Sequence, residues 1–127
     1  MYVDASALVK LVVEEPESTA LRARLIAADL VSSVVVAVEV GRQARRADPD
    51  ASQRAMEVLA RVALVPLSEH VVATSVDLLP PELRSLDAIH VATCASLDDR
   101  PEALCTYDAR MQEAAAARGI RILAPAS

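Results

Sequence analysis

Four acids in this chain stand where a carboxylate needs a reason: Asp4 in MYVDASALV, Glu39 in VVVAVEVGR, Asp87 in LRSLDAIHV and Asp108 in LCTYDAR. Carboxylates brought within about 4 Å repel by roughly 4 kcal/mol per pair at an effective dielectric of 20. They must then take up protons or share a cation. Hard oxygen donors without a His or Cys cluster fit Mg²⁺ or Mn²⁺, not Zn²⁺. An acid-lined site holding one or two such ions suits phosphodiester hydrolysis, because the metal acidifies the attacking water and clamps the in-line oxygens.

Taken singly, each acid has a plainer reading. Asp4 and Asp108 suit the N-caps of the helices after them, each cap contributing about 1 kcal/mol. Asp87 suits the positive end of its helix, for roughly 0.3–1 kcal/mol. Glu39 is harder to place, since it lies between Val38 and Val40 and an isolated buried carboxylate is costly without a partner.

The elements around these acids decide whether they can meet. YVD at 2–4 is a short apolar run leading into the helical spacing of ASALVKLVVEE, and residues 17–29 repeat apolar positions at Leu21, Leu25 and Ile26. LVSS at 30–33 reads as a strand, with Ser33 a suitable N-cap for the next element. The Val-rich stretch after it has strand propensity, but GRQARR favours a helix, and a helix over about 34–46 is the preferred reading. Residues 50–63 form an amphipathic helix with an Asp cap. A short extended piece comes next, then a helix over about 69–78 and a Pro-Pro stop. LRSLDAIHVATCASL is a nearly all-apolar helix capped by Ser85, with buried flanks. ALCTYD at 103–108 is a strand, ARMQEAAAARG a helix ended by Gly119, and IRILAP a last strand. Strands alternating with helices predict a single α/β domain over residues 1–127, with a parallel sheet between helical layers. In such a sheet ligands bind at the carboxyl ends of the strands, where Asp4 and Asp108 fall and where the helices carrying Glu39 and Asp87 begin.

Composition narrows the function. The 127 residues carry 13 basic and 18 acidic side chains, a net charge of −5. That excludes a protein that coats nucleic acid through phosphate neutralisation, though a local basic patch still permits a nucleic-acid substrate. No run approaches the roughly 18 apolar residues of a membrane span, and the first residues lack the basic region of a signal peptide. Cys94 and Cys105 are isolated thiols without CxxC spacing, read as reduced core residues rather than a disulfide. A cytoplasmic location is expected.

At the four acids the sequence resembles the PIN-domain ribonucleases, and within them the VapC-like toxins of bacterial toxin–antitoxin systems. The resemblance runs through MYVDASALVKLVVEEPES, SSVVVAVEVGRQARR, LRSLDAIHVATCASL and CTYDARMQEAAAARGI, in family order and spacing. It implies a three-layer α/β/α sandwich around a short, mainly parallel sheet. It also implies a catalytic, metal-binding set of Asp4, Glu39, Asp87 and Asp108 with Mg²⁺ or Mn²⁺, supported by the hydroxyls of Ser6 and Thr106. The implied activity is endonucleolytic cleavage of a structured RNA by metal-activated water. Its implied partners are a VapB-like antitoxin that blocks the acidic pocket and a second copy of the chain in a homodimer.

Several other residues carry two readings. Arg42, Arg45 and Arg46 come after Glu39 along or beside one helix face; they either grip the RNA backbone or form a solvated helix end favoured by the dipole. His90, one turn past Asp87, is read as hydrogen-bonded within the helix packing rather than as an acid or base. His70, Asp98 and Asp99 are expected at the surface, and Tyr107 is a candidate for stacking on a base. Two rivals to the nuclease remain. A phosphoacceptor receiver-like domain would need a lysine near its last strands, whereas the only lysine is Lys10. A catalytically silent PIN-like binding module would leave four uncompensated acids together.

Overall fold

A computed structural model describes residues 1–126. Five strands, β1 (Tyr2–Val3), β2 (Leu30–Ser33), β3 (Val62–Val65), β4 (Leu104–Cys105) and β5 (Ile122–Leu123), form one sheet in the order β3-β2-β1-β4-β5. Every pairing in it is parallel. The chain therefore builds outward from β1 to β3, then crosses to the other side for β4 and β5. Such a reversal opens a crevice between β1 and β4 at the carboxyl edge.

Seven helices cover the two faces: α1 (Ala5–Val12), α2 (Ser18–Leu25), α3 (Val35–Ala47), α4 (Ser52–Leu59), α5 (Glu69–Asp77), α6 (Ser85–Ser96) and α7 (Ala109–Ala117). Successive strand residues point to opposite faces, and even the two-residue strands show it. Val3 and Cys105 enter a core shared with Leu8, Leu21, Val36, Val40 and Val58 from α1 to α4. Tyr2 and Leu104 enter a second core with Ala88, Val91, Met111 and Ala115 from α6 and α7. The result is the three-layer α/β/α sandwich. β1, β3, β4 and β5 are short apolar runs rather than alternating ones, and β2 ends on two buried serines, Ser32 and Ser33. Among the described residues no helix is long and apolar enough to cross a membrane.

The Val-rich segment is a helix. Val36, Val40 and Ala44 recur at helical spacing on its buried side, so burial against α1 and α4 outweighs β-propensity. At several boundaries the structure corrects the sequence reading. The helix expected over 50–63 stops at Leu59, because Val62 and Ala63 pair with Leu30 and Val31 as the edge strand β3. Ala51, not Asp50, holds the cap position of α4, without a side-chain cap; the nearby Asp48 Oδ1 instead accepts from the Asp50 N–H at 3.0 Å. Ser85 is the first residue of α6 and Arg84 precedes it, again without a side-chain cap. Ser33 comes one residue before the cap position of α3, held by Val34, and its Oγ accepts from Val35 N at 3.3 Å. Gly119 ends α7 as expected, at φ +78°, with Ile120 N–H closing back on Ala115 O.

Candidate active site

Asp4 leaves β1 at the centre of the sheet and is almost fully buried, 2% exposed. Its Oδ1 caps α1, accepting from Ala7 N at 3.1 Å and from Ser6 Oγ at 2.7 Å. Its Oδ2 accepts from Thr106 Oγ1 at 2.6 Å, one residue past β4. The two hydroxyls are tied in turn to the β4–α7 turn. Ser6 Oγ accepts from Tyr107 N at 2.9 Å, and Thr106 Oγ1 accepts from Asp108 N at 3.1 Å. Capping and site-building are thus the same contacts here. Burial pushes the Asp4 carboxyl above its ordinary range, against the pull of the Thr106, Ser6 and Ala7 hydrogen bonds.

Asp108 also divides its oxygens. Oδ1 caps α7, accepting from Arg110 N and Met111 N, and Oδ2 lies 3.4 Å from Arg84 Nη2. Asp87, in the first turn of α6, caps nothing. Its Oδ2 is buried and accepts no hydrogen bond from the described residues; Arg84 Nε, 3.4 Å away, forms an ion pair with it. Burial raises the Asp87 carboxyl and the nearby Asp108 charge raises it further, while Arg84 pulls it back and Glu39 adds to the rise. Glu39, on α3, meets His90 of α6, with Oε1 2.6 Å from Nε2.

These four acids line one pocket of about 710 Å³, together with Ser6, Arg42, Gln43, Arg46 and Arg84. Thr106 lies buried behind Asp4. Arg45 is exposed and outside the pocket lining, so the turn of α3 separates it from the face shared by Arg42 and Arg46. His70, Asp98 and Asp99 are exposed. Tyr107 is not presented for stacking, because its hydroxyl donates to Pro125 O at 2.6 Å and the Lys10 ammonium lies 4.7 Å over its ring. Lys10 itself pairs with Glu15 and Glu17, away from the four acids. The lysine that a phosphoacceptor domain requires is therefore missing from the pocket. Both cysteines are free and buried, and burial raises Cys94 to about 11 and Cys105 to about 12. Buried thiols of that kind are inert.

Arg84 escapes a reading by sequence, and His90, buried and hydrogen-bonded as expected, has partners that the sequence does not indicate. Arg84 joins Asp87 and Asp108, and its only sequence signal is its place three residues before Asp87 on one helix face. His90 reads as a packing residue, and its contact with Glu39 joins residues 51 positions apart.

Among the described residues no group of three or more His, Cys, Asp or Glu side chains is close enough together to hold a metal ion as it stands. The donor set nevertheless fits a hard divalent ion. Mg²⁺ keeps several waters and is commonly held by one or two carboxylates, and Asp87, whose buried Oδ2 has an ion pair with Arg84 but accepts no hydrogen bond from the described residues, lines a pocket with three further acids.

Comparison with known proteins decides the family: the PIN domain model matches residues 1–117. This chain is a VapC-like member of the PIN-domain family. It is 42% identical over 126 residues to Ribonuclease VapC46 of Mycobacterium tuberculosis strain H37Rv, covering 98% of this chain and 97% of that one. It is 39% identical over 117 residues to Ribonuclease VapC47 of strain CDC 1551, covering 87% and 86%, and 36% identical over 130 residues to Ribonuclease VapC35, covering 98% and 96%. The PIN-domain match spans all four acids.

Proposed function

We propose that this chain is a Mg²⁺- or Mn²⁺-dependent endoribonuclease, the toxin of a VapBC-type pair, cleaving a structured RNA. The observation that carries this reading is the collection of Asp4, Glu39, Asp87 and Asp108 around one pocket at the carboxyl edge of the sheet. The ribonuclease names of relatives at 36–42% identity support it.

Asp4, Glu39, Asp87 and Asp108, which line one pocket, would hold the ion directly or through water. Bound there, the ion would supply a Lewis acid for the phosphoryl oxygens and acidify water for in-line attack on phosphorus. Ser6 and Thr106 fix Asp4 in one orientation. Arg42 and Arg46 line the same pocket from α3 and offer bidentate contacts to backbone phosphates. Arg84 pairs with Asp87 and Asp108 from a side chain that is 71% exposed, so a bound cation would compete with it for these acids.

The partner in this reading is a VapB-like antitoxin that covers the acidic pocket, and the toxin pairs with a second copy of itself. Exposed Val72, Val76 and Leu79 on and after α5 are apolar surface available to such contacts. We place the reaction in the cytoplasm, consistent with two buried, unpaired thiols.

The test is incubation of the purified, partner-free chain with total cellular RNA in EDTA, Mg²⁺ or Mn²⁺, alongside Asp4→Asn. Discrete cleavage that needs metal and vanishes in Asp4→Asn is expected. Metal binding without cleavage of any RNA would favour the silent binding module instead.

A further inference from the structure

His90 has no exposed surface, yet both of its ring nitrogens are engaged. Nε2 lies 2.6 Å from Glu39 Oε1, and Nδ1 lies 2.7 Å from the Tyr2 hydroxyl. Tyr2 is equally buried, and its oxygen accepts from the Ser33 N–H at 3.0 Å. The donors and acceptors order themselves. A backbone N–H can only donate, and an ionised glutamate can only accept. With Glu39 as the acceptor, a neutral imidazole between them carries its proton on Nε2, and its bare Nδ1 accepts a hydrogen bond from the tyrosine hydroxyl. Every bond then points one way, from the β2 backbone through Tyr2 and His90 to Glu39. The rings meet edge to face, 5.8 Å apart at 76°, so packing holds the chain of bonds in register.

We propose that this buried Tyr2–His90 chain positions Glu39, presenting its carboxylate to the pocket from the core of the sheet. His90 is then a positioning residue, and its contact is with the glutamate rather than with RNA. This role rests on Glu39 being a cation-facing acid, as the proposed nuclease requires. His90 takes Oε1 and leaves Oε2 for a second partner, so the imidazole governs which way the free oxygen turns. Partners that orient a metal-binding carboxylate typically matter 10–100-fold for affinity or activity.

The experiment uses the full chain and Mn²⁺ as the probe. In His90→Gln the side-chain amide reaches about as far as imidazole Nε2 and keeps a donor for Glu39. In His90→Asn the amide reaches only about as far as Nδ1 and loses it. Calorimetry should find Mn²⁺ affinity within about 3-fold of the unmodified chain for His90→Gln and lowered about 10–100-fold for His90→Asn. A purely structural histidine would weaken both in proportion to their loss of melting temperature, and equal affinities in the two variants would overturn the role.

Nitrogen-detected NMR of the unmodified, metal-free chain supplies a second readout that needs no variant to fold. It should show His90 as the Nε2–H tautomer, with Tyr2→Phe releasing that preference, and an Nδ1–H tautomer in the unmodified chain would overturn the proposal. Mn²⁺ binding by the unmodified chain separates the positioning role from the cation site itself. If it binds and the histidine variants do not differ, only the positioning role falls. If it does not bind, the cation site falls and the positioning role with it.

Discussion

The two ends of the pocket treat a buried carboxylate in opposite ways. Asp4 accepts three hydrogen bonds, from Ala7 and Ser6 in the first turn of α1 and from Thr106 in the β4–α7 turn. Asp87 has an oxygen that accepts no hydrogen bond from the described residues and is offset by Arg84, a side chain that stands mostly in solvent. Burial raises both carboxyls, so the difference lies in what compensates the charge. At Asp4 it is permanent scaffold. At Asp87 it is the exposed cation of Arg84.

Disturbing the scaffolded end should have the largest effect. Thr106→Val keeps the shape of the residue but removes the donor to Asp4 Oδ2 and the acceptor for Asp108 N. RNA cleavage should fall about 10–100-fold, measured at saturating Mn²⁺ so that weakened binding does not mask the chemistry. An unchanged rate would mean that Asp4 needs no such support.

At the other end, neutralising the acid should help the fold. Asp87→Asn removes a charge that burial and Asp108 oppose, so the metal-free melting temperature should rise by about 2–6 °C. The sign with pH comes from the raised carboxyl. A group held above its unfolded value costs nothing while both states are protonated, below the ordinary value of 3.8. The cost appears as pH rises past that value and is complete above the raised native one. The gain of Asp87→Asn over the unmodified chain should therefore widen across this window, and melting curves in EDTA at successive pH values test it.

Arg84→Ala sharpens the same contrast with a smaller effect of opposite sign. Removing an exposed cation that competes for Asp87 and Asp108 should tighten Mn²⁺ binding about 2–5-fold, whereas a loss of affinity would make Arg84 part of the binding site. Smallest of all, Arg46→Ala should weaken RNA binding across sequences and reduce the slope of log affinity against log salt by about 1. An unchanged slope would return Arg46 to a solvated helix end.

Much of this arrangement is legible in the sequence, because strand–helix alternation places Asp4 and Asp108 at one edge, and the helix starts bring Glu39 and Asp87 toward it. The helix through Glu39 is legible despite four valines, since the tail GRQARR and the later break at Asp48-Pro49 agree with helical burial. What the sequence conceals are relations across space. Nothing local indicates that Arg84 turns back onto Asp108, 24 residues away, or that His90 faces Glu39 on one side and Tyr2 on the other. Caps mislead for a related reason. Ser33 and Ser85 are good capping residues by type, but the path from strand to helix shifts each cap position by one residue. Residue type suits a side chain to a local task, while tertiary packing assigns the task elsewhere.

Whether the four acids form a cation site, rather than a set of separate helix caps, is tested most directly by calorimetric titration of Mn²⁺. The metal-free chain and Asp87→Asn are titrated side by side. A cation site predicts saturable binding to the unmodified chain that weakens with falling pH, as protons compete for the carboxylates, and that is largely lost in Asp87→Asn. Absence of binding, or binding that Asp87→Asn leaves intact, would contradict it.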